Sequence, residues 1–292
     1  MGEGYRLVTW SAGVRPEERS ELTRRAPSHG ALCAQPAPRR AVIVATLQAT
    51  GRAVYGLARV AGTEHTQRGG ARIWTDFFVG GAVAARREGL HPHDVQSALD
   101  GLPPPKKLAE SSPLTLVDVA RGASTSAPSR DGKSVAMAAV AASLLLDGRV
   151  CVLACGPASV TVFEDALHMI PATMRGGLQA CAGLRFSPSR AVIVTLADAI
   201  DPDTVRATRG QGVECIDLVS KAPPLGGPLA AWFALMTNWW LSGRAGAASE
   251  LTSRMTGDWS AADVLAVASR AAAMGEQECR GEALDELIRR ED

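Results

Sequence analysis

Hydrophobic positions along the chain switch period several times, and each switch predicts an element. "GYRLVTW" (4–10) reads as a short first strand, and "RPEERSELTRR" (15–25) as a charged helix with Pro16 near its start. "AVIVATLQ" (41–48) and "AVYGLARV" (53–60) are β-branched runs joined by "ATGR", the pattern of a hairpin. "ARIWTDFFV" (71–79) is a further strand, and 80–100 reads as helical with an interruption near Pro92. "LTLVDVA" (114–120) reads as a strand. From Lys133 the rhythm changes. "KSVAMAAVAASLLLDG" is a helix apolar on most sides and ended by Gly148, "RVCVLACGP" is a continuous apolar strand, and "ASVTVFEDALHMI" is a helix stopped by Pro171. "RAVIVTLAD" (190–198) and "GVECIDLV" (212–219) read as two more strands. Apolar strands alternating with helices predict a parallel sheet covered on both faces. Segments 228–242, 246–256, 260–274 and 279–290 each carry a helical period.

The expected fold is therefore α/β: a small mixed β-sheet domain over residues 1–110, then a parallel-sheet α/β domain over 133–292 with a helical C-terminal part. Residues 111–132 join them, after "GLPPPKKLAESSP" (101–113), whose three prolines hold it extended.

Composition narrows the function. The chain has 292 residues and a formal net charge of +1, which favours no polyanionic partner. Residues 1–110 hold 15 Lys and Arg against 10 Asp and Glu, while 111–292 hold 16 against 20, so the halves are of opposite sign. Basic pairs such as Arg24-Arg25 and Arg86-Arg87 are scattered, and aromatics make up 4%, so nucleic-acid binding is not expected. The longest nearly apolar stretch, Val135–Leu146, is shorter than the roughly 20 residues that span a bilayer. "MGEGYRLVTW" lacks the apolar core of a signal peptide, and Arg6 stands where a myristoylation signal wants Ser or Thr. A cytoplasmic protein with no membrane partner is expected. Six cysteines at irregular spacing read as free, mostly buried thiols.

Several stretches raise chemistry. "APSRDGKS" (127–134) matches the end of a Walker A loop at Gly132, Lys133 and Ser134. The first glycine is replaced by Ala127, however, and Pro128 removes an N–H. Asp198 and Asp217 are the candidate acidic partners for its magnesium. The plainer reading is a polar turn opening a helix. Cys155 ends a strand and precedes Gly156-Pro157 and a helix, where a thiol can be activated. His168 lies too far along that helix to serve it, and core packing competes. "HGALC" and "HPH" each lack the second ligand pair of a zinc site, so no metal or other cofactor is implied. In "NWWLSG", Trp239 and Trp240 are about 100° apart on a helix, so one is expected in the core and the other is a candidate interface residue. "TQRGGARIW" sets Gly69-Gly70 at a turn flanked by Arg68 and Arg72, which suit an anion or an internal carboxylate.

The ordered blocks "YRLVTWSAGV", "APSHGAL", "QRGGARIWTDFFV", "LLLDGRVCVLACGP" and "GLRFSPSR" together resemble the bacterial GTPase-associated protein family, whose members are encoded beside small GTPases in predicted conflict or defence operons. The likeness covers roughly 3–110 and 133–290. Ser11, Gly13, Pro27, Ser28, His29, Gly30, Arg68, Gly69, Gly70, Arg72, Trp74 and Thr75 fall on the family pattern, with departures at Ala12, Gln67 and Ala71. The resemblance implies a non-enzymatic adaptor. Its partners would be a small GTPase and effector-associated domain proteins, with Ser28, His29, Arg68, Gly69, Gly70 and Arg72 as the candidate binding set. An NTPase using Gly132, Lys133 and Ser134, or a thiol hydrolase using Cys155, stands as the alternative.

Overall fold

A computed structural model describes residues 10–27, 30–33, 40–63, 71–81, 92–100, 131–273 and 282–289. The charged helix forms as α1, Pro16–Arg25, with proline at its first position, where the missing N–H costs no helical bond. The predicted hairpin forms from β1 (Arg40–Thr46) and β2 (Ala53–Thr63), antiparallel from Arg40 opposite Arg59 to Thr46 opposite Ala53. Strand β3 (Ala71–Gly80) returns along β2, with a register shift between Val60 and Thr63. At Gly56 of β2 a Cβ would meet the Phe77 ring at 2.7 Å, so any larger residue would require that ring to shift. Helix α2 (Pro92–Asp100) follows and packs on β2 and β3. The expected strands over 4–10 and 114–120 lie outside the described residues, apart from Trp10.

Helix α3 (Gly132–Asp147) closes on Gly148 in the left-handed region, a conformation that suits glycine. Strand β4 (Cys151–Ala154) leads through a 3-10 turn into α4 (Ser159–Met169), which ends before Pro171. After the short α5 (Ala172–Arg175) comes β5 (Ala180–Ala182), a strand the pattern did not announce because three apolar residues are too few to show a period. The strand expected over 190–198 is confined to β6 (Val194–Ala197), since Pro188–Arg190 forms a 3-10 turn and Ala191 takes a positive φ of 52°. Helix α6 (Pro202–Thr208) and strand β7 (Glu214–Asp217) complete the alternation. The four C-terminal helical segments appear as α7 (Ala230–Leu241), α8 (Ala245–Arg254), α9 (Ala261–Ala273) and α10 (Glu282–Ile288).

The fold is mixed α/β, with the seven strands of the described residues in one sheet in the order β3-β2-β1-β5-β6-β4-β7. The antiparallel strands of the first block and the parallel strands of the second meet where β1 pairs with β5, Ile43 opposite Cys181. The two predicted blocks are thus hydrogen-bonded into one sheet. One face carries the main core, where Val42, Tyr55, Leu57, Leu153 and Leu196 share one cluster with residues of α2, α3, α4 and α7. Buried residues of the other face, such as Ile43, Val54 and Val152, gather in three smaller clusters. Strand β7 differs from the expectation of a strand covered on both faces. Glu214, Cys215 and Asp217 are exposed, because β7 is an edge paired only with β4 among the described residues.

Candidate functional site at the carboxyl edge of the sheet

The sheet order creates a place for chemistry. From β4 the chain crosses through α4 to β5, two positions to one side. From the adjacent β6 it crosses through α6 to β7, two positions to the other side. Adjacent strands whose connections leave in opposite directions mark a topological switch point, and open α/β sheets bind ligands at the carboxyl ends of such strands. Here that place is formed by Cys155 and Gly156 after β4 and by Asp198 after β6. The tip of β7 at Asp217 and the start of α3 at Lys133 are beside it, since the charge of Lys133 acts on Asp217.

Internal hydrogen bonds close this edge. Gly156, at a φ of 68°, turns the chain so that its N–H reaches the Asp198 carbonyl at 3.0 Å. The hydroxyl of Ser159, fully buried in the first turn of α4, donates to Asp198 Oδ1 at 2.9 Å. Asp131 caps α3, accepting from the Ser134 N–H at 3.0 Å and the Ser134 hydroxyl at 2.9 Å. Asp201 caps α6 through the Thr204 N–H at 2.7 Å. Asp217 gathers the N–H groups of Val219 and Ser220 and, at 2.6 Å, the Ser220 hydroxyl. These bonds hold the charged forms. The Ser134 N–H keeps the Asp131 carboxyl below its ordinary pKa, the Thr204 N–H does the same at Asp201, and the Ser220 hydroxyl does so at Asp217. A helix N-terminus attracts anions, and here α3 and α6 each hold a carboxylate of their own chain at that end.

This arrangement decides how several predicted residues are used. Gly132, Lys133 and Ser134 open α3, as both readings of this stretch expected. The Ser134 hydroxyl, which a Walker-type loop would turn toward magnesium, is engaged with Asp131. Residues 127–130 lie outside the described residues. The Cys155 thiol is 2% exposed and faces the Leu153 carbonyl at 3.8 Å. Burial, and then the negative charge of Asp198, push its pKa far up, the reverse of what a nucleophilic thiolate needs. His168 is turned elsewhere: its Nδ1 lies 2.8 Å from the Ser249 hydroxyl of α8. That pair was not legible in the sequence, because 81 residues separate its members and only helix packing joins them.

The interface expectation at Trp239 and Trp240 is corrected. Both are buried, 1% and 2% exposed, so neither side chain is offered to a partner. Helix α7 is flanked by α3, α8 and α9, so directions 100° apart both meet protein. Of the candidate binding set, Ser28, His29, Arg68, Gly69 and Gly70 lie outside the described residues. Arg72 is placed near the start of β3, with its backbone in the strand. Farther along β3, Trp74 donates its indole N–H to Asp76 at 2.8 Å, and Asp76 also pairs with Arg59 of β2 at 3.0 Å. Asp76 thus links β3 to β2. No group of His, Cys, Asp and Glu among the described residues is arranged to hold a metal ion. No described helix is long and apolar enough to cross a membrane. Compared with family models, curated proteins and solved structures, the chain matches none.

Proposed function

We propose that this protein is a non-enzymatic adaptor that binds a small GTPase in a bacterial conflict or signalling system and links it to effector-associated domain proteins. The ordered family-like motifs motivate the choice of partner. The observation that carries the non-enzymatic part is the closed carboxyl edge. At the place where an open α/β sheet takes a ligand, Asp131, Asp198, Asp201 and Asp217 are bonded to the chain's own N–H and hydroxyl groups. A buried, protonated Cys155 supports the same reading. An adaptor of this kind works in the cytoplasm and needs no cofactor, lipid or nucleic acid.

The test is retention of the GTPase encoded beside this chain on the immobilised protein, loaded in turn with GDP and with a non-hydrolysable GTP analogue. Retention in at least one state is expected. Absence of retention in both overturns the adaptor reading. Nucleotide turnover by the chain itself, lost on Lys133→Ala, would replace that reading with an NTPase.

A further inference from the structure

Helix α1 is attached in an unusual way. Its inward positions, 18, 21, 22 and 25, follow the helical period, yet only Leu22 is apolar. The other three are Glu18, Glu21 and Arg25, which are 0%, 6% and 1% exposed. A surface helix ordinarily holds its place with an apolar stripe. Here the hold is polar. Glu18 accepts from the Thr50 hydroxyl at 2.7 Å and from Arg52 at 3.1 Å. Glu21 accepts from the Gln48 and Ala49 N–H groups in the β1–β2 turn. Arg25 pairs with Glu21 at 2.7 Å and donates to the carbonyls of Thr46 and Ala191. Among the described residues its buried Nε has no hydrogen-bond partner, a cost carried only by the docked state.

We infer that α1 is a strap that opens as a unit while the rest of the fold stays closed. Each polar partner it gives up is replaced by water, so the net loss per bond is small. The apolar surface exposed is also small: Leu22 on the helix, and beneath it Leu47 and Val54, with Phe77 and Val79 at their margin. By contrast, lifting α3 would expose ten buried residues, mostly Ala, Val and Leu. Segments with few buried apolar contacts open at free energies well below that of global unfolding. Opening uncovers a concealed apolar patch on the face of the sheet opposite the main core. The strap is thus a conformational device, closed by charge and opened at little hydrophobic cost.

Native-state hydrogen exchange on the full chain tests this. Amides of residues 20–26 are expected to exchange at least tenfold faster than those of β4 and α4. Their rate should depend weakly on low concentrations of urea, because a local opening exposes little surface. Glu21→Gln leaves Arg25 without its buried counter-ion and should speed α1 exchange at least a further tenfold, with β4 unchanged. Exchange of α1 at the β4 rate and with the same urea dependence overturns the strap. So does a Glu21→Gln effect spread equally over both. The wild-type comparison decides by itself if the variant does not fold.

Discussion

At Cys155, burial sets the chemistry. Moving a thiolate out of water raises its energy, and the nearby Asp198 charge adds to that, so the sulfur stays protonated. Burial likewise pushes Cys33 and Cys151 up to about 12. Cys215 is the one exposed thiol among the described cysteines. Among the described cysteines, alkylation at neutral pH, mapped by mass spectrometry, should therefore modify Cys215 first, while Cys33, Cys151, Cys155 and Cys181 react only on unfolding. Rapid labelling of Cys155 in the folded protein would contradict its placement. The tryptophans make the same point for apolar groups. Adjacency in "NWW" fixes the angle between two side chains, but burial depends on how many neighbours surround the helix, and α7 has them on several sides.

At the scale of elements, local signals placed starts and stops well. Pro16, Gly148 and Pro171 mark the ends they were expected to mark. The caps are functional statements as well as structural ones, since Asp131 and Asp201 neutralise the helix ends where an anion could bind. Asp201→Ala should lower stability by about 1 kcal/mol, the usual worth of an N-cap. Urea denaturation should show this as a lower midpoint with unchanged slope. Asp201→Asn should recover most of it, because an amide oxygen still accepts from Thr204 N–H. Elements set by tertiary pairing were harder to see. Strand β5 has three residues and exists because β1 and β6 flank it. Strand β6 is shorter than its apolar run because the chain turns through Pro188–Arg190 and Ala191 before entering the sheet.

For the whole molecule, one continuous sheet has a consequence for unfolding. The β1–β5 seam makes each block an edge partner of the other, and the main core draws on Val42 and Tyr55 from the first block as well as Leu153 and Trp232 from the second. Losing either block would expose the other's sheet edge and core face. Denaturation followed by far-ultraviolet circular dichroism and by tryptophan fluorescence should therefore give coincident midpoints, apart from the early opening of α1. Two separated transitions would show that the seam is weaker than the blocks it joins. The opposite charge of the two halves is consistent with the joining but adds little, because salt screens it.

The sequence by itself determined the α/β class, the β1–β2 hairpin, the alternation of strands and helices after Lys133 and the four C-terminal helices. Those rest on local periods, caps and turns, which neighbouring residues fix among themselves. It also singled out Asp198, Asp217 and Ser134, but as parts of a phosphate loop and not for the hydrogen bonds they make. Only the tertiary structure decided that Asp198 holds Ser159 and that Cys155 and both tryptophans are buried. Those facts depend on which strand lies beside which and on what covers a helix from outside. Contacts such as Ser159 to Asp198 join positions 39 apart. The inward charges of α1 were visible as a charged helix, but a charge pattern does not say which face turns inward. Packing on the β1–β2 turn put Glu18, Glu21 and Arg25 there, where the hairpin's own N–H and carbonyl groups could receive them.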